Sequence, residues 1–197
     1  LSLPQPSTLV GALAFSMAVR RSLSSLSGDL YVEECCRLVL QGLIRAIVKP
    51  LGPLTRSTLT LVRVRALEKK SEVVVRRIKE GKMIKDAMVR EYIHGVLGLI
   101  YVFEDENEAS EALESLYLVE RLGDTESCVY VSSVSEAELE LVGRKGIIDT
   151  YTPRGWLSRI IGGRFSLDYM CPEELASKVR RRREDIVKGM SEYVVPI

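Results

Sequence analysis

The stretch LPQPSTLVGALAFSMAV, residues 3–19, runs from a proline-rich turn straight into apolar sequence, and its reading decides how the rest of the chain is organised. Pro6 and Ser7 predict a helix start, since proline fits just outside the first turn and Ser7 accepts a hydrogen bond from the first free amides. Leu9, Val10, Ala12, Leu13, Ala14, Phe15, Met17, Ala18 and Val19 leave no polar stripe, so the helix is expected to be buried on most sides. Gly11 costs such a helix about 1 kcal/mol relative to alanine, and close approach of another backbone is the expected compensation.

Outward from that helix, Asp29 predicts the cap of a second one that carries Glu33 and Glu34 in its first turn and ends near Gly42. Residues 43–51 read as a strand stopped by PLGP, where Pro50 and Pro53 cannot donate to a ladder. TLTLVRVRALEKK then alternates apolar and basic residues, as a strand or extended arm does, and residues 69–90 form a basic excursion divided by Gly81. VLGLIYVFEDE, residues 96–106, is the clearest buried strand. A helix is expected from about Asn107 to Leu122, GDTES as a loop, and CVYVSSV, residues 128–134, as another strand. This order is that of an α+β, ferredoxin-like βαββαβ core without its first strand. That strand is central in such a sheet, so it is expected to precede Leu1 or to be supplied by a partner, and a start at Leu rather than Met favours the former.

Composition narrows the classes. An apolar fraction of 46% and a mean hydropathy of +0.07 fit a soluble globular chain. No apolar run reaches the roughly 18 residues of a membrane span, and nothing reads as a cleaved leader. Cys35, Cys36, Cys128 and Cys171 offer no zinc-type pair and are expected as buried thiols in a reducing cytoplasm. The net charge of +1 conceals segregation: residues 45–90 hold 13 Lys and Arg against 4 acids, and residues 91–142 one Arg against 13 acids. A basic block beside an acidic one predicts a polyanion on one face, unless the blocks neutralise one another in the fold.

Three stretches, LPQPSTLVGALA (3–14), KDAMVREY (85–92) and LGDTES (122–127), in that order and at those separations, resemble the CRISPR-associated family-five RAMP proteins of archaeal type I-A interference complexes. The resemblance covers residues 3 to about 134, with Gln5 where the family usually carries another proline. It implies a ferredoxin-like, RRM-like core over residues 1–142, with a protruding basic arm at about 56–92, and a C-terminal extension at 143–197 packing on the core. It further implies a non-catalytic, cytoplasmic RNA-binding subunit without cofactor that caps the crRNA 5′ handle in antiviral defence. The implied partners are a neighbouring family-seven backbone subunit, a large subunit and, through the complex, target DNA.

The residues themselves offer matching chemistry. Amides near Ser7 and Thr8, at the start of the first helix, suit a phosphate, with simple capping as the competing role. Gly123, Asp124, Thr125 and Ser127 bring amides and hydroxyls toward a sugar or phosphate, although Gly123 as a helix terminator and repulsion by Asp124 and Glu126 argue the other way. Arg56, Arg63, Arg65, Arg76, Arg77, Lys79, Lys82, Lys85 and Arg90 are phosphate candidates, with Arg63 and Arg65 on one side of an alternating strand. Tyr92 suits stacking on an unpaired base or a place in the core. KVRRRRED, residues 178–185, would spread its arginines around a helix, which favours salt bridging and solvation. The acidic helix reads as a solvated or docking face, because its carboxylates lack His or Cys placed as metal ligands.

Two other functions compete with the binding role. A metal-independent repeat-RNA endoribonuclease needs an acid and a base at one phosphate, for which Tyr92, His94 and Lys85 are the available set, although His94 reads better as structural. A protein-only scaffold would instead use the basic block against acidic neighbours, and its RNA affinity would be absent even at low salt.

Overall fold

In chain order the elements are α1 (Pro6–Arg20), α2 (Gly28–Gly42), β1 (Leu43–Pro50), β2 (Thr55–Val64), β3 (Lys85–His94), β4 (Leu97–Phe103), α3 (Glu106–Leu116), β5 (Thr152–Pro153), a 3-10 turn (Arg154–Trp156), β6 (Phe165–Met170), a second 3-10 turn (Glu173–Ser177), α4 (Arg183–Gly189) and β7 (Ser191–Pro196). This computed structural model describes residues 3–21, 28–64, 75–76, 79–81, 85–123, 127–139, 146–177 and 183–197. The fold is α+β with small antiparallel sheets. It divides into one unit of Leu1–Leu51 with Leu97–Ile197 and a second of Gly52–Val96.

In the first unit, β1 and β4 pair antiparallel, with a register shift between Leu43 and Arg45. α1 packs against α2, α3, β1 and the second 3-10 turn. Leu9, Val10, Leu13, Ala14 and Met17 of α1 meet Cys35, Cys36 and Val39 of α2, and Ala46 and Val48 of β1, in one buried cluster. The Tyr101 hydroxyl on β4 donates to the Leu9 carbonyl at 2.9 Å, pinning helix to sheet.

Three details of α1 differ from expectation. Gln5 holds the cap position and Pro6 is the first helical residue, where its missing N–H leaves nothing unsatisfied. The helix buries one broad side, leaving Phe15 49% and Val19 52% exposed. A Cβ on Gly11 would meet nothing within 4 Å, so no backbone approaches it.

The C-terminal region contributes to the same core. β5, β7 and β6 form a sheet in that order, and Tyr151, Met170, Tyr193 and Val195 join the α1–α2 cluster. Its anchor is an ion pair. Arg45, only 6% exposed, donates from Nη1 to both Glu173 oxygens at 2.9 and 3.1 Å, and Glu173 Oε1 also accepts from the Ala46 amide at 3.0 Å. A buried pair survives when hydrogen bonds satisfy both ions, as they do here for the carboxylate.

Two predicted elements end differently. α3 stops at Leu116, six residues before the expected end at Leu122, because the Leu118 amide turns back to the Ser115 carbonyl and Val119 and Leu122 are buried from the turn that follows. Residues 128–134 form no strand: beyond a single bridge between Arg121 and Cys128 they find no ladder partner among the described residues. Cys35 and Cys36 are buried thiols as expected, Cys171 is half-buried, and Cys128 is exposed. No described helix is long and apolar enough to cross a membrane.

The second unit is an antiparallel ladder of β2 and β3, in register from Thr55 opposite His94 to Val64 opposite Lys85. Gly95 closes its base at φ +151°, a conformation that favours glycine, and a Cβ there would lie 2.5 Å from the Leu54 side chain.

Candidate nucleic-acid interface

The strand pattern that predicted an arm also sorts its charges. Residues alternate across a ladder, so the register puts Arg90 and Tyr92 on one side of the hairpin and Arg56 on the other, while in the backbone ladder Arg63 stands opposite Asp86 and Lys85 opposite Val64. Arg90 and Tyr92 are half-buried, while Arg56 is exposed and lies 3.4 Å from Glu91. An exposed pair at that distance contributes about 0–1 kcal/mol, so Glu91 holds the Arg56 guanidinium only weakly. Arg76 is exposed and pairs with Glu80 one helical turn away at 3.1 Å. Arg65, Arg77 and Lys82 lie outside the described residues, as do Asp124 and Thr125 and residues 178–182 of the arginine run.

Of the described ion pairs, Arg56 with Glu91 joins the basic block to the acidic one, while others take partners outside the opposite block. Glu111 and Glu114 of α3 pair with Arg21 and Arg20 beside α1. On the basic side, Arg45 is taken by Glu173 and Lys49 by Asp149.

The other sites fare unequally. The Ser7 amide donates to the Cys171 carbonyl at 3.2 Å and the Thr8 amide to the Gln5 carbonyl at 2.9 Å. Gln5 in turn accepts from the Cys171 amide at 3.0 Å, so protein acceptors occupy the amides offered to phosphate. This correction has a tertiary cause, since the C-terminal segment reaches back to close the start of α1.

Gly123, at φ +107°, lies beyond the end of α3 and does not end a helix. The Leu122 amide donates to the Ser127 carbonyl at 3.0 Å and the Val129 amide to the Glu120 carbonyl at 2.9 Å. Gly123 is exposed and Ser127 half-buried.

For cleavage chemistry, His94 is exposed at the end of β3, with Nε2 2.6 Å from the Ser57 hydroxyl. Tyr92 shares its side of the ladder. Lys85 and His94 stand at opposite ends of β3, roughly 30 Å apart along an extended strand. Among the described residues no group of His, Cys, Asp and Glu is placed to hold a metal ion.

Sequence reasoning missed Arg45, counted there only as one charge of the basic block. Its Cζ lies 5.1 Å from the Trp156 ring centroid and 5.2 Å from that of Tyr193. The signal was a single arginine inside the apolar run LIRAIV. Tyr193 and Tyr151 pack edge to face at 5.8 Å, and burial pushes both phenols above their ordinary range.

No protein-family model matches the chain. It is 31% identical over 157 residues to CRISPR-associated protein Cas5 of Methanocaldococcus jannaschii, and the match takes in 77% of this chain and 59% of that relative.

Proposed function

From the premise that this chain belongs, over the length it shares with that relative, to the Cas5-like family of CRISPR-associated proteins, we propose that it is a non-catalytic crRNA-binding subunit of a type I-A interference complex that caps the 5′ handle. In this reading β1 and β4, with α1 and α3, are parts of a ferredoxin-like RAMP core. The β2–β3 hairpin is its basic arm, and backbone and large subunits are its neighbours. The observation that carries the reading is the hairpin's register, which aligns Arg90 and Tyr92 on one side of an antiparallel ladder in a unit of its own. The arginine there meets phosphate, which supplies most of the sequence-independent affinity, and the tyrosine stacks on an unpaired base. The accessible Gly123 turn is a second contact, close to sugar or phosphate.

Binding to RNA with and without the repeat-derived handle, at two salt concentrations, tests this. Tighter and salt-sensitive binding of the handle RNA supports the capping role, whereas indifference to RNA at low salt supports a protein-only scaffold. Incubation with labelled repeat RNA in the absence of metal is the companion assay. Intact RNA is expected, because Lys85 is too distant to complete an acid–base set with Tyr92 and His94, and cleaved product would establish the nuclease instead.

A further inference from the structure

The C-terminal region carries a surface that the hairpin reading does not use. From Thr150 to Leu167 the chain has three arginines and no acid, in the sequence TYTPRGWLSRIIGGRFSL. Arg154, Arg159 and Arg164 are all exposed and alternate with exposed Trp156, Ile161 and Phe165. Gly163, at φ +98°, turns the loop between Ile161 and Arg164, and the Arg164 carbonyl is tied to the Ile197 amide at 3.1 Å. Beyond it Phe165, Leu167 and Tyr169 are exposed at alternate positions of β6, roughly 7 Å apart along one side of the strand.

Trp156 is held in place although it is 65% exposed. The guanidinium of Arg45 packs on its ring at 5.1 Å, and Arg45 is itself fixed by Glu173 and by the Tyr193 hydroxyl at 3.4 Å. A cation on one side of an indole fixes the ring and leaves the rest of its surface to a ligand. Aromatic rings interleaved with exposed cations are the chemistry that holds a single strand of nucleic acid, bases on rings and phosphates on arginines. We propose that Arg154–Phe165 is such a strip, with bases stacking on Trp156 and Phe165 and phosphates held by Arg154, Arg159 and Arg164. It is independent of the β2–β3 hairpin and of the handle reading.

Trp156 is the chain's single tryptophan, so its emission reports on this strip. The full chain is titrated with an oligouridine RNA and an oligothymidine DNA, with emission and strand anisotropy followed together. Saturable quenching by a single strand is expected, and the stronger of the two strands identifies the sugar. R159E/R164E weakens that binding roughly tenfold or more and lowers the magnitude of the salt slope by about two. Phe165→Ala weakens it roughly fivefold or more. Trp156→Phe retains binding in the anisotropy assay, and Trp156→Ala loses it. Unchanged emission with both strands overturns the proposal and leaves the strip as a protein-docking face. Equal quenching by a duplex, or quenching that survives R159E/R164E, overturns it as well.

Discussion

Arg45 and Arg56 belong to the same basic block of the sequence, yet the fold assigns them opposite work. Arg45 on β1 is 6% exposed, chelated by Glu173 and flanked by two aromatic rings. Arg56 on β2 has a side chain 54% exposed and faces Glu91 at 3.4 Å. The first has exchanged water for protein partners at Nη1, with Nη2 buried and unpaired, and so holds the C-terminal region to the core. The second has kept its water, and its charge is available to a polyanion. Charge counted along a sequence therefore overstates the surface that can meet nucleic acid, because burial withdraws some cations and not others.

The sharpest way to break this contrast is Glu173→Ala, which leaves the Arg45 guanidinium buried without its counterion. A loss of about 3–5 kcal/mol is expected from urea unfolding, and a loss below about 1 kcal/mol would erase the distinction between the two arginines. Alkaline titration asks the same of the core as a whole. Burial, then Cys35 and Glu33, push the Cys36 thiol to about 11 from its ordinary 9.0. Folded Cys36 thus keeps a proton that the unfolded chain has shed, so stability is full below pH 9 and falls as pH rises toward 11. The decline is about 2 kcal/mol, with burial of Cys35 and the tyrosines acting in the same direction. Urea midpoints across that range measure it.

Gly11→Ala sharpens the comparison from the other side, since a position in α1 with empty space beside it should behave like surface. It is expected to stabilise by about 0.5–1 kcal/mol in thermal unfolding, there being nothing for the methyl group to strike. Arg56→Ala is the smallest in stability, within about 0.5 kcal/mol by the same measurement. Its effect belongs in RNA binding, where the magnitude of the salt slope should drop by about one.

Legibility followed the range of the interactions. α1, α2, β1, the β2 arm and β4 were readable because apolar runs, turn prolines and alternation are local signals. α3 was read too long because Val119 and Leu122 continue its apolar pattern, although the chain buries them from a turn and not from helix. Residues 128–134 carried a strand's composition without a neighbour to pair with, and composition cannot supply one. At the candidate site, the alternation of β2 was legible, but which β3 residues stand opposite Arg63 and Leu59 came from the register. The amides at Ser7 and Thr8 misled for a related reason, since their acceptors include Cys171, far along the chain.

By itself, the sequence determined the helix and strand periods, the segregation of charge into blocks and the family resemblance, because each depends on residues close together or on their order. Only the tertiary structure decided which cations are withdrawn into the core, which helix-start amides are already occupied and how Trp156 is held at the surface. Those outcomes rest on contacts between residues distant in sequence, Arg45 with Glu173 above all, and the cost of desolvating a charge is set by the partner that folding brings to it.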